Sequence, residues 1–451
     1  MSDQTSGVNG RQPSFNIGMI GDVANGKTTL TKELTKRDPR DFKAEKYGGT
    51  IKLGYSDAVL WEDTDSSVPY PPEAKRTDPP KYFTTPSSVT SFVSPATGNS
   101  CVRKQHFSVV DCPGHNNLTA TMLNGAAVMD YCILIGAVPS YAGKDKDSVV
   151  FPAKQTVEHL TAVDRMGIPM PIVGLNKADL VSAKRFKKLS DQFRSVLDEH
   201  EYEGPIIPLS IINGNMGNMD LMLHAIAQLP QPKRDSGADL RMVTVRSFDV
   251  NKPGTKYKKL KGGVIGGSIS TGSVKIGDRI RLYPGRVIQN PTGSKTRWRT
   301  VPMTTTITSL QCGTTRLTKA HPGGLIAIGT TLDPACCRAS LMSGTLVVRE
   351  DDTTATSIVA CEQLVVNYDL VETERKGSEL NVGEKVLINC HSANTTAQVT
   401  KIDSDANLLT VTLLETPICA QFGVTKVSIS KKYRGVFVVA HGPVVDGILS
   451  G

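Results

Sequence analysis

Residues 15–30 read FNIGMIGDVANGKTTL, and this stretch decides the architecture of the first half of the chain. Phe15–Ile20 is short, apolar and β-branched in part, which suits a strand. It runs directly into Gly21-Asp22-Val23-Ala24-Asn25-Gly26-Lys27-Thr28, then Thr29, with Leu30 and Leu34 one helical turn apart beyond. A strand, the spacing G-x-x-x-x-G-K-[ST] and a helix together make a phosphate loop. The glycines let backbone N–H groups turn inward around phosphate oxygens, and the helix N-terminus adds a favourable field. Lys27 suits the β- and γ-phosphates, and the Thr28 hydroxyl suits Mg²⁺. Gly21, Asp22, Val23, Ala24, Asn25, Gly26, Lys27, Thr28 and Thr29 are therefore the candidate phosphate site.

Outward from this stretch, His106–Val110, Tyr131–Val138, Ile172–Leu175 and Ile206–Leu209 read as further strands. Ala183–His200 and Leu221–Leu229 read as helices. The alternation predicts a mostly parallel sheet with helices on both faces. Two strand ends carry chemistry. Asp111-Cys112-Pro113-Gly114 offers a carboxylate for Mg²⁺ and, at Gly114, an N–H that can approach a γ-phosphate. Asn176-Lys177-Ala178-Asp179 selects the base. The Asp179 carboxylate matches the N1–H and exocyclic amine of guanine, and adenine has no such pair of donors. The Lys177 stem can cover the base, and Ser210 can direct backbone donors at the guanine oxygen. Any one of these motifs is weak, but three in this order at successive strand ends point to GTP or GDP.

After Leu229 the composition changes. Pro230–Gly237 reads as a linker, and short Val/Ile/Thr-rich segments with glycine turns follow. Val274–Ile280 and Leu380–Val386 share a turn-then-strand pattern, and two all-β barrels are the economical reading. The fold expected is thus an α/β phosphate-loop GTPase domain followed by two all-β barrel domains. The expected divisions are a tail at 1–13, the GTPase domain at 14–233, and barrels at 238–350 and 355–451. An insertion at 62–101, rich in Pro, Ser, Thr and Asp, reads as an irregular surface loop.

Bulk properties narrow the class. Of the 451 residues, 39% are hydrophobic, no apolar run is long enough to span a bilayer, and the N-terminal residues lack a secretory apolar centre. Nine scattered cysteines without a repeated C-x-x-C spacing predict reduced thiols in a cytoplasmic protein with no membrane partner. A formal net charge of +9 favours polyanionic partners without naming one.

With these residues in place, the chain resembles the translational GTPases, and in particular the gamma-subunit family of eukaryotic and archaeal translation initiation factor two. Thr50–Tyr55, Asp111–His115, Ala120–Asp130, Val245–Gly254 and Pro322–Ile326 carry the resemblance most specifically. It implies that Thr50 joins Thr28 and Asp111 around Mg²⁺ when GTP is bound, and that His115 orients the attacking water as the catalytic residue. Tyr55 is placed near the acceptor end of bound tRNA, or else packs on the core. The implied job is delivery of initiator methionyl-tRNA to the small ribosomal subunit, in company with alpha and beta subunits and with help from a separate GTPase-activating factor. The implied mechanism is a switch, in which GTP orders two loops, completes a tRNA cleft between the GTPase domain and first barrel, and hydrolysis releases them.

The chain also departs from that family. Asp22 and Asn25 stand where histidines are usual, and Asn116 and Asn117 break the usual acidic pattern. The insertion lacks the paired cysteines of a zinc knuckle, and Cys101 alone cannot supply four ligands, so no structural zinc is expected. The segment 441–451 follows the family poorly. These departures motivate an alternative, a divergent guanine-nucleotide-binding scaffold for partner subunits without tRNA delivery. An elongation factor for another aminoacyl-tRNA is disfavoured by Thr50–Tyr55 and Val245–Gly254.

Overall fold

The computed structural model describes residues 12–38, 53–71, 73, 78–115, 119–139, 151–212, 215–371, 377–432 and 435–450. The main division into two compact units falls between Pro232 and Lys233. In the first unit the order is β1 (Phe15–Ile20), α1 (Lys27–Thr35), β2 (Gly54–Asp63), β3 (Tyr82–Pro86), β4 (Cys101–Asp111), α2 (Thr119–Ala126) and β5 (Tyr131–Ala137). There follow α3 (Lys154–Arg165), β6 (Ile172–Asn176), α4 (Ala183–Asp198), β7 (Ile206–Pro208), a small hairpin β8 (Ser210–Ile212) and β9 (Asn215–Gly217), and α5 (Met219–Ala227).

The seven-stranded sheet has the order β3-β2-β4-β1-β5-β6-β7. Strands β4, β1, β5, β6 and β7 are parallel, and β2 and β3 join antiparallel at one edge. Every residue of β1 is buried, as expected of a central parallel strand covered on both faces. Leu30 and Leu34 of α1 and Met222, Leu223 and Ile226 of α5 share one core with Phe15, Ile17, Met19, Ile133 and Ile135. Phe193 of α4 lies on the opposite face of β5, against Gly136.

The insertion is more ordered than its composition suggests. It contains β3, and Tyr82 is buried with its hydroxyl 3.2 Å from His224 Nδ1. Lys81 sits 4.6 Å from the centre of the Tyr70 ring, and the Tyr70 hydroxyl donates to Glu62. Two turns are clasped by polar side chains. Asp63 accepts from the Thr97 hydroxyl at 2.6 Å and from Asp65 N at 2.9 Å, and Asp65 accepts from Asn99 at 3.1 Å. Burial of aromatic rings and closure of these hydrogen bonds offset the entropy of ordering a segment that looks like a loop. Gln12 and Pro13, at the end of the expected tail, are also buried.

The second unit holds two closed barrels of six strands each. The first barrel comprises Arg241–Phe248, Val264–Thr271, Arg279–Gln289, Trp298–Cys312, Ile326–Thr330 and Leu346–Arg349, closed where 279–289 pairs with 298–312. The second comprises Val359–Asn367, Lys385–Cys390, Ala393–Asp403, Leu408–Leu413, Lys426–Lys432 and Val436–Leu449, closed by pairing of its first and last strands. Each barrel has its own aliphatic core, and closure leaves few open edges. The divergent segment near the C-terminus is therefore part of a closing strand, where Val444–Leu449 pairs with residues 361–366.

Candidate functional site

The phosphate loop connects β1 to α1 at the C-terminal edge of the parallel strands, where ligands bind in open α/β sheets. Gly26, immediately before the helix, has φ +97°, and a Cβ there would stand 2.3 Å from Asn176 Nδ2. Only glycine fits that backbone and that neighbour. Asn25 fastens the loop to the sheet by donating from Nδ2 to the Ile135 carbonyl at 2.8 Å. Asn176 then donates to the Asn25 carbonyl at 2.9 Å and accepts from Ile211 N at 3.1 Å. Its side chain thus braces the phosphate loop against the segment after β7. Val23 and Ala24 form the exposed crest of the loop.

Lys27 is 6% exposed, and its Nζ donates to the Asp22 carbonyl at 2.7 Å. Burial pulls its ammonium below the usual lysine range, while the Asp111 carboxylate works in the opposite direction. Thr28 Oγ1 donates to Asp111 Oδ2 at 2.7 Å, joining the start of α1 to the end of β4. Gly114 completes the wall. A Cβ on it would lie 2.6 Å from Lys27 Nζ and 2.7 Å from both the Asp22 carbonyl carbon and Val23 N. The strand end following Asp111 is therefore pressed against the phosphate loop. Two hard oxygen donors at hydrogen-bond distance, beside a buried ammonium and a cradle that a methyl would fill, suit Mg²⁺ with a nucleotide triphosphate.

At the base end, Ser210 Oγ donates to Asp179 Oδ1 at 2.6 Å, which fixes the direction of the carboxylate. Lys177 has φ +62° and is half-buried between β6 and the short helix that carries Asp179. Phosphate-loop, strand-end and base-reading residues are thus gathered along one sheet edge. His115 is exposed just beyond Gly114. Tyr55 pairs with Val110 in the sheet and buries its hydroxyl. Thr50 lies outside the described residues.

Sequence reasoning missed a second layer beneath the loop. His159 on α3 is fully buried with Nδ1 3.1 Å from the Gly21 carbonyl, and Gln155 Nε2 is 2.8 Å from its other nitrogen. Since a carbonyl only accepts, Nδ1 carries the proton and Nε2 accepts from Gln155. Burial, together with nearby Lys27, lowers the His159 pKa to about 3, so the ring supports the loop as a neutral donor. The available signal was a Gln and a His four residues apart on the face of a helix that also carries Leu160 and Val163. Asp22 holds a further surprise: its Oδ1 accepts from Val23 N at 2.6 Å, occupying one loop donor.

Comparison with known proteins agrees with this geometry. Residues 12–232 match the family described as Elongation factor Tu GTP binding domain, and residues 346–440 match Initiation factor eIF2 gamma, C terminal. The chain is 35% identical over 443 residues to eukaryotic translation initiation factor 2 subunit gamma of Encephalitozoon cuniculi, covering 97% of this chain and 94% of that protein. Identity to translation initiation factor 2 subunit gamma of Methanocaldococcus jannaschii is 37% over 435 residues, 94% of this chain and 95% of that one. Among solved structures, translation elongation factor SelB of Methanococcus maripaludis, in complex with the GTP analogue GppNHp, has a TM-score of 0.65 at 19% identity. That likeness covers 97% of this chain and 80% of the other, and it speaks to fold alone.

Proposed function

Since the chain belongs to the family of translation initiation factor 2 gamma subunits, we propose that it delivers initiator methionyl-tRNA to the small ribosomal subunit in its GTP-bound state. It is a translation factor of the GTPase class. The observation that supports the reading best is the meeting of Lys27, Thr28, Asp111 and Gly114 with Asp179 and Ser210 on one sheet edge.

Each group has a definable task. Lys27 and the loop N–H groups hold the β- and γ-phosphates. Asp179, aimed by Ser210, accepts the two guanine donors, while Lys177 covers the base. Thr28 and Asp111 are the described residues that would hold Mg²⁺, with Thr50 as a third. Held there, such an ion would supply positive charge to offset that of the phosphates. Gly114 N–H reports the γ-phosphate, so its loss on hydrolysis frees the strand end after Asp111. His115 orients the attacking water, and a separate activating factor adds positive charge there. Alpha and beta subunits are the expected companions. Tyr55, with its hydroxyl buried in the sheet, would act on tRNA through packing.

One observation favours a second reading, a scaffold that binds guanine nucleotide without delivering tRNA. The Val23 N–H already has an acceptor in Asp22, which removes one donor from the phosphates. Filter retention of methionylated initiator tRNA separates the readings. Retention with a GTP analogue, less with GDP and less for elongator methionyl-tRNA is expected of delivery. Absence of retention in every nucleotide state refutes delivery and leaves the scaffold.

A further inference from the structure

The first barrel carries a loop that the nucleotide site does not use. Between the strands Arg241–Phe248 and Val264–Thr271, the ten residues 252–261 include five lysines: Lys252, Lys256, Lys258, Lys259 and Lys261. All five are exposed, and no acidic side chain among the described residues pairs with them. Of the acids near the loop, Asp249 is engaged by Arg338 at 3.0 Å and Asp333 accepts from Ala335 N at 2.8 Å. In the middle stands Tyr257, 88% exposed.

This loop is built rather than slack. Asn251 closes its base with two hydrogen bonds to Lys261, donating to the carbonyl and accepting from the N–H, each at 2.8 Å. Asp249 in turn accepts from Asn251 N at 3.0 Å and from its amide at 2.9 Å. Thr255 Oγ1 donates to the Lys252 carbonyl at 2.6 Å, and Tyr257–Lys259 forms a 3₁₀ turn. Lys258 and Lys259 lie in this turn, and Lys256 immediately precedes it. An ordinary solvated loop intersperses both signs. Here uncompensated charge of one sign surrounds an exposed ring on a fixed base.

We propose that this loop binds single-stranded RNA, with lysines on the phosphates and Tyr257 stacked under a base. Duplex RNA keeps its base faces covered, so the exposed ring favours an unpaired segment. An acidic protein would satisfy the lysines but leave the ring's role unexplained. The binding is a property of the barrel and needs neither guanine nucleotide nor an aminoacyl group, so it goes beyond the delivery reading.

The test is fluorescence anisotropy of the full chain with a ten-residue single-stranded RNA of mixed sequence, titrated at several salt concentrations. Replacing Lys256, Lys258 and Lys259 together by Ala should flatten the slope of log K against log salt by about two, whereas Arg at all three should retain it. Tyr257→Ala should weaken binding by at least about fivefold with the slope unchanged. Asn251→Ala should weaken binding without removing any charge. Unchanged affinity and slope in the triple Ala variant overturn the proposal. Loss of polyglutamate binding with RNA binding intact overturns it in favour of an acidic protein partner. The same variants are assayed for GTP-analogue affinity and GTP-dependent tRNA retention. Retention without a change in RNA slope refutes this proposal alone, and a change in slope without wild-type retention refutes delivery alone.

Discussion

Replacing Gly114 by Ala probes the contact proposed to sense the nucleotide. The new Cβ would begin 2.7 Å from the backbone of Asp22 and Val23 and 2.6 Å from Lys27 Nζ. Lysine can swing aside, but two backbone atoms of a loop fastened by Asn25 cannot. Ordinary contact would require the strand end to retreat by about 0.7 Å or more, since well-packed carbon contacts lie near 3.5 Å. A hydrogen bond of about 2.9 Å stretched by that amount is no longer one. Losing a bond to a charged acceptor costs about 1.5–3 kcal/mol, or roughly 10- to 150-fold in affinity. The γ-phosphate is absent from GDP, so the larger loss should fall on GTP. Titration with fluorescent GTP-analogue and GDP derivatives reads both constants. Equal affinity of mutant and wild type for the GTP analogue, within twofold, would refute the assignment of Gly114.

Three other outcomes follow from the same geometry. Asp179→Asn should transfer preference from guanine to xanthine nucleotides in competition binding, and unchanged GTP affinity would contradict the base-reading role. Asn25→Ala removes a buried donor to the Ile135 carbonyl and should lower stability by about 1–3 kcal/mol in urea unfolding, with a loss of nucleotide affinity as the loop loosens. Burial holds His106 and His159 near pKa 3, against 6.5 when unfolded. Their contribution is complete above about pH 6.5 and falls as pH drops toward 3, by up to about 1.4 kcal/mol per pH unit for each ring. A melting temperature of the first unit that stays level from pH 7 to pH 4.5 would contradict it.

The residues that the structure gathers into the candidate site were legible because their signals are local: glycine spacing, a lysine and a carboxylate each sit at the end of an apolar strand. Two strands of the seven-stranded sheet were not. Gly54–Asp63 is mostly buried, yet it carries Asp57, whose carboxylate accepts from the Ser108 hydroxyl at 2.6 Å. Such internally satisfied polar residues break the apolar pattern on which a strand is recognised. Tyr82–Pro86 was concealed by the proline- and serine-rich residues around it, and its order comes from pairing with Gly54–Asp63 and from the packing of Tyr82 against His224. Helix Lys154–Arg165 escaped for a related reason, because Gln155 and His159 occupy core-facing positions where apolar residues are the usual signal. The barrels were visible through their glycine turns, but closure of the second was not, since pairing between segments some 80 residues apart leaves no local trace.

That last closure bears on how the protein is made. Val359–Asn367 pairs with Leu408–Leu413 and Ile418–Ala420, but it also needs Val436–Leu449, so the second barrel cannot satisfy all its backbone donors until that strand has left the ribosome. The nucleotide-binding unit needs nothing beyond Pro232 to complete its sheet and can fold while synthesis continues. At about 5–20 residues per second, the interval between the two events lasts about ten seconds or more, during which an open β edge is exposed. Nascent chains stalled just short of Val436 should therefore hold a finished GTPase fold and an aggregation-prone, unfinished barrel.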